Sequence, residues 1–268
     1  MSAGYVAAGS ARLAYGVVVT ALPLGVAFAA RRNPLLRTHW QIPLAFFGLA
    51  LFIFTDRYIP RLVATYLLGD GPVAGNPYAS TITGTVVIQI VELLLTIVAV
   101  LVTVCLSGSP LSSIYLTRGR FGRGYAIALI GIVALYVLTF RALSHSSFIP
   151  VKGSFDFARY LSLTPAMLTM VAANGFLEEL MFRGLLMSSL NLAFGPLVST
   201  LVQALIFASW HVGVTYTSSA VVLIGLFVFP LGILAAYLTR SSSSILPSSI
   251  LHAGVDMPVY LAFLSYVS

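Results

Sequence analysis

Apolar residues in this chain form runs far longer than one buried helix face needs, and the polar residues gather between them. The runs at 13–30, 40–55, 81–106, 125–143, 160–191, 197–214, 221–238 and 246–266 are apolar around the whole helical circumference. A helix of about 20 apolar residues crosses a hydrocarbon core of about 30 Å. The pattern therefore predicts about eight transmembrane helices. The 40–55 run is short for that thickness, so it tilts, extends through 59–68, or re-enters. GDGPVAGNP at 69–77 is turn chemistry, and so is the Gly195 and Pro196 pair that ends the long 160–191 stretch. A loop through His145, Pro150, Lys152 and Asp156 joins the fourth and fifth runs.

Composition strengthens this picture. Of 268 residues, 59% are hydrophobic and only 8% charged, against about 25% charged in soluble domains; mean hydropathy is +1.01. The expected fold is all-α, a polytopic integral membrane protein. The net charge of +7 comes from arginines near run ends. Arg31, Arg32 and Arg37 lie in the first connection, Arg118, Arg120 and Arg123 in the third, and Arg240 in the seventh. The positive-inside tendency puts these connections in the cytoplasm and both termini outside, in a multi-pass protein of a prokaryotic plasma membrane. Such charge serves topology and contact with anionic membrane lipids; no aromatic and basic module for nucleic acid is present. The first eleven residues lack a basic stretch, so the first run reads as a retained helix. Cys105, the one cysteine, cannot form an intramolecular disulfide and reads as a small buried core residue.

Three polar clusters interrupt the apolar runs. In MVAANGFLEELMFRG, at 170–184, Glu178, Glu179 and Arg183 sit at membrane depth, where each charge costs about 2.5–3.5 kcal/mol on insertion scales. Glu179 and Arg183 are spaced i,i+4, the better orientation for an intrahelical pair. Glu178 is rotated by about 100° from Glu179 and is left without a cation, sharing its face with Asn174 and Met181. A carboxylate so placed is a general-base candidate. FASWH holds Phe207 and His211, and HAGVD holds His252 and Asp256 on one helical face. Taken singly, His211 reads as a helix-end histidine bonded to a backbone carbonyl, and His252 with Asp256 as a structural hydrogen bond. Taken together, ionisable groups on three spans normally face one another or a wet cavity. Ser248 and Ser249 read as satisfying backbone carbonyls, and Pro165, Pro230 and Pro258 as kinks.

EExxxR (Glu178, Glu179, Arg183), FxxxH (Phe207, His211) and HxxxN/D (His252, Asp256), in this order, resemble the CPBP family of CAAX prenyl protease and bacteriocin-processing intramembrane endopeptidases, the type II CAAX endopeptidases. The likeness extends between the motifs, through FLEELMFRGLL, LVQALIFASWH and YLTRSSSSILPSSILHAGVD. It implies a catalytic membrane core at 159–268 preceded by about four variable N-terminal helices at 1–158, one integrated membrane domain. By position it implies Glu178 as the base that activates water, His211 as a water holder, and His252 and Asp256 as groups polarising the scissile carbonyl. Glu179, Arg183, Phe207 and Asn174 would support them. Asp256 departs from the Asn of many members: ionised, it cannot donate to an oxyanion, so it is protonated, acts through water, or orients His252.

The expected reaction is peptide-bond hydrolysis near the membrane, on a peptide or membrane-protein substrate that is lipidated or not, without a cofactor. Zn²⁺ held by Glu178, His211, His252 and Asp256 is the alternative, although HExxH is absent. A GxSxG elbow is absent too. An aspartyl dyad lacks candidates, since Asp70 falls in a loop and Asp56 at a span boundary beside Arg57. Rival classes are a non-proteolytic binding or immunity factor on the same fold and a proton-coupled transporter using the same acids and histidines. Counted from its own helix start, Glu178 lies about 27 Å deep, His211 about 20 Å and His252 about 9 Å, so convergence requires offset or tilted helices.

Overall fold

A computed structural model describes residues 9–145, 151–153, 156–211 and 224–267. The apolar runs map onto helices α1 (Gly9–Arg32), α2 (Gln41–Leu62), α3 (Ile82–Ser107), α4 (Arg123–His145), α5 (Phe157–Glu179), α6 (Ser188–Trp210), α7 (Phe229–Ser242) and α8 (Leu246–Ser265). Pro150, residues 212–214 and residues 221–223 of the expected connections and spans lie outside the described residues, as do the first eight. Five described stretches are long and apolar enough to cross a membrane: Ala11–Arg32, Gln41–Leu67, Ile82–Ser107, Arg123–Arg141 and Phe157–Trp210. The chain is thus a helical, multi-pass membrane protein. The last stretch, of 54 residues, is broken at Gly195, whose φ of 73° and ψ of 179° leave helical space where a side chain would be strained. Leu226–Ser242 is a shorter apolar helix.

The second span extends beyond residue 55, one of the courses expected of it: α2 runs to Leu62 and continues as a π-helical turn, Val63–Leu67. Two other sequence expectations need correction. With α2 extended, Asp56 is inside a helix, not at a span boundary. Cys105 is exposed rather than buried. It shares its face of α3 with exposed Leu94, Val98, Leu101 and Val102, because in a bilayer an apolar side chain is satisfied by lipid as well as by protein. Pro230 lies near the start of α7, directly after a π-helical turn at Ile224–Val228, and Pro165 and Pro258 lie inside α5 and α8, so all three sit within helical chain, where a missing N–H removes a backbone hydrogen bond.

Helices α5 and α8 form the heart of the molecule, with α3 against α5 and α4 against α8. They are antiparallel. The Arg159 guanidinium at the start of α5 donates to the Ser265 carbonyl at the end of α8 at 2.7 Å, and Glu179 at the end of α5 meets His252 near the start of α8. Between these points Gly175 lies so close to the Ser249 carbonyl and the Ala253 amide that a β-carbon would fall 2.8 Å from each. Small residues permit such backbone approach between membrane helices. Tyr160, Met167, Met170, Met257, Leu261 and Leu264 fill the rest of this seam.

Helix starts are set by polar caps. Asp156 accepts from the Ala158 amide at 3.0 Å, and Thr81 from the Gly84 amide at 3.0 Å. Asp70 staples the loop to α3, accepting from the Ser80 and Thr81 hydroxyls at 2.5 and 2.6 Å and from the Gly71 amide at 2.7 Å. At the opposite end, the 107–124 segment is tied to the α7–α8 turn. The Arg120 amide donates to Ser242 O at 2.6 Å, and the Thr117 hydroxyl to Ser243 O at 2.7 Å. Arg240 closes the break at Gly195, donating to Pro196 O at 2.6 Å and to the Ser199 hydroxyl at 2.7 Å.

Candidate active site

Where α5 ends, the helix loosens into a π-helical stretch, Leu180–Met187, a distortion frequent at functional sites. Glu178 and Glu179 occupy the last turn before it and Arg183 lies within it. Arg183 Nη1 is 2.8 Å from Glu179 Oε1, with both side chains fully buried. The guanidinium also lies over the Phe207 ring, 4.3 Å from its centroid, a cation–π contact strengthened by desolvation. The expected i,i+4 pair is therefore formed. Glu179 Oε1 has a second partner, His252 Nδ1, at 2.9 Å.

That contact fixes the histidine. The Glu179 carboxylate, paired with Arg183, accepts the Nδ1 proton, so His252 turns Nε2 the other way. There it lies 3.6 Å from Glu178 Oε2 and 3.7 Å from Asp256 Oδ2. His211 is fixed in the same sense. Its Nδ1 lies 2.8 Å from the Phe207 carbonyl, which can only accept, leaving Nε2 3.8 Å from Glu178 Oε2. The helix-end hydrogen bond expected of a structural histidine is present, and it is also what aims the other nitrogen at Glu178.

Asn174, one turn before Glu178, clamps the two remaining carboxylates. Its Nδ2 is 3.3 Å from Glu178 Oε1 and 2.8 Å from Asp256 Oδ2, and donates to each. Phe207 is the apolar wall between the imidazoles, its ring edge-on to His211 at 4.7 Å and to His252 at 5.5 Å. Glu178, Glu179, His211, His252, Asp256, Asn174, Arg183 and Phe207 thus converge from α5, the π-helical stretch that follows it, α6 with its C-terminal cap, and α8. Glu178 and His252 reach one level because α5 and α8 run in opposite directions, and His211 meets them from the C-terminal end of α6.

Chemically, Glu178 Oε2 is buried and has no hydrogen-bond partner within the protein. Both Nε2 atoms face it from 3.6 and 3.8 Å, too far for a direct hydrogen bond and suited to one oxygen held between them. Among the described residues no group of three or more His, Cys, Asp or Glu is arranged to hold a metal ion. Ser248 and Ser249 donate to Ile245 O at 2.8 and 2.9 Å, as their sequence context predicted.

One neighbour escaped the sequence reading. Glu92 of α3 interacts electrostatically with Glu178 and with Asp56. The signal was legible, because Glu92 is an acid in the most apolar run of the chain, where an ionisable group needs a reason. Its link to Glu178 was not, because α3 precedes all three motifs.

Residues 160–258 match the family model described as type II CAAX prenyl endopeptidase Rce1-like. No curated protein and no solved structure matches the chain.

Proposed function

We propose, from the match of residues 160–258 to the Rce1-like type II CAAX prenyl endopeptidase model, that this protein is a membrane peptidase that hydrolyses its substrate with a water activated by Glu178. The observation that carries the reading is the unpartnered Glu178 Oε2 facing two imidazole nitrogens at 3.6 and 3.8 Å. Glu178 takes a proton from the water as the water oxygen bonds to the scissile carbonyl carbon. His211 Nε2 orients that water. His252, with carboxylates beside both ring nitrogens, acts as an imidazolium and donates Nε2–H to the oxyanion. The tetrahedral carbon then expels the amine, the C–N bond breaks, and the proton held by Glu178 passes to the leaving nitrogen. Water is thereby divided between the new carboxyl and amine termini. Asp256, accepting from Asn174, orients His252 rather than serving as an oxyanion donor, which explains how an acid is used at the Asn position.

The test is turnover of a fluorogenic peptide, with and without a C-terminal prenyl group, by the purified protein in liposomes. Glu178→Gln is expected to lower kcat by about 10²–10⁴-fold with its melting temperature retained. Unchanged turnover would remove the reading. Strong chelators are expected to leave the rate unchanged, whereas loss of activity restored by Zn²⁺ would transfer the chemistry to a metal held by the same residues.

A further inference from the structure

The inner face of α3 carries a polar stripe unlike the rest of that helix. Thr85, Gln89, Thr96 and Thr103 are buried at helical spacing, with Glu92 on the same side. Gln89 is fully buried. Its Oε1 accepts from Tyr260 Oη at 2.9 Å, while its Nε2 has no partner at hydrogen-bond geometry. Two further buried oxygens, Asp56 Oδ1 on α2 and Glu178 Oε2 on α5, are also unpartnered. Glu92 interacts with all three of these residues.

An unpaired buried polar atom costs about 1–3 kcal/mol, and native interiors avoid the cost by placing ordered water where two to four polar partners surround it. Gln89, Asp56 and Glu178 bring such atoms from three helices into electrostatic range of one carboxylate, Glu92, a polar surrounding of the kind in which ordered water is placed. The stripe continues toward the surface through hydroxyls: Tyr260 Oη lies 3.2 Å from Tyr78 Oη, and half-buried Tyr78 belongs to the 70–81 loop, next to exposed Pro77.

We propose that Asp56, Gln89 and Glu92 line a hydrated compartment between α2, α3 and α5, entered past Tyr78 and Tyr260, that supplies water to Glu178. The ligand is water, and the role assigned to it rests on the hydrolytic reading above. The N-terminal helices then contribute to the reaction from outside the family-matched segment.

The test combines accessibility with kinetics in the full-length protein in liposomes. In a Cys105→Ala background, Gln89→Cys and Thr85→Cys are expected to react with a small water-soluble methanethiosulfonate at least about tenfold faster than lipid-facing Val98→Cys, since only a hydrated thiol ionises. Glu92→Leu is expected to lower kcat at least about tenfold with KM unchanged, and Glu92→Gln, which still binds water, to retain most of the rate. Labelling of Gln89→Cys and Thr85→Cys no faster than Val98→Cys would overturn the compartment even if Glu178→Gln is inactive. Fast labelling with an active Glu178→Gln would keep the compartment and discard the hydrolytic reading.

Discussion

At the scale of single residues, the site depends on which nitrogen of each histidine is occupied. Glu179 lies outside the reacting set proposed above, and it takes one ring nitrogen of His252 and so directs the other toward Glu178. Partners of this kind are worth about 10–100-fold when lost. Glu179→Gln is expected to reduce kcat by that amount with KM held, and nitrogen chemical shifts of labelled imidazole should show His252 no longer held as the imidazolium at neutral pH. Arg183 plays a different part. It is fully buried against Glu179, and breaking a buried pair from one side costs about 3–5 kcal/mol because a lone charge remains. Arg183→Met is expected to lower the melting temperature in detergent strongly. Adding Glu179→Gln to it should recover much of the loss, since no uncompensated charge is then buried.

The helices are located by polar groups at their ends and by small residues at their crossings. Asp70 illustrates the first. Desolvation disfavours its charge, but the Ser80 and Thr81 hydroxyls and the Ser80 and Gly71 amides outweigh that and hold its carboxyl well below the ordinary value of 3.8. A depressed folded value means that the ionised group stabilises the fold fully above the ordinary value, and that this stability is lost as pH falls through the folded value. Asp70→Asn is therefore expected to melt earlier than wild type at neutral pH, and the difference should shrink below about pH 4. A gap that persists unchanged into acid would assign the staple to shape rather than charge. Gly175 illustrates the second principle, since its missing β-carbon lets α5 and α8 approach closely enough for Glu179 to reach His252.

For the whole molecule, the arginine-bearing segments and the α7–α8 turn are joined at one end, and the Asp70 loop and the close of α8 meet at the other, where Asn76 donates to Phe263 O at 3.3 Å. The positive-inside tendency assigns the arginine end to the cytoplasm. In a Cys105→Ala background, Arg120→Cys is expected to react with an impermeant thiol reagent in inverted vesicles and not in intact cells; the reverse pattern would invert the topology.

Apolar runs and the i,i+4 spacing of Glu179 with Arg183 were determined by sequence alone, because the bilayer forces helices and helices fix local side-chain geometry. Sequence also marked Glu178, His211, His252 and Asp256 as charges needing a reason. It misplaced Cys105, since hydropathy does not distinguish lipid from protein as an apolar partner. Only the tertiary structure decided that α5 and α8 run antiparallel at close approach, that Glu179 holds His252 as well as Arg183, and that Glu92 comes within electrostatic range of Glu178. Those relations join residues far apart in the chain, and periodicity carries no information about which helix faces which.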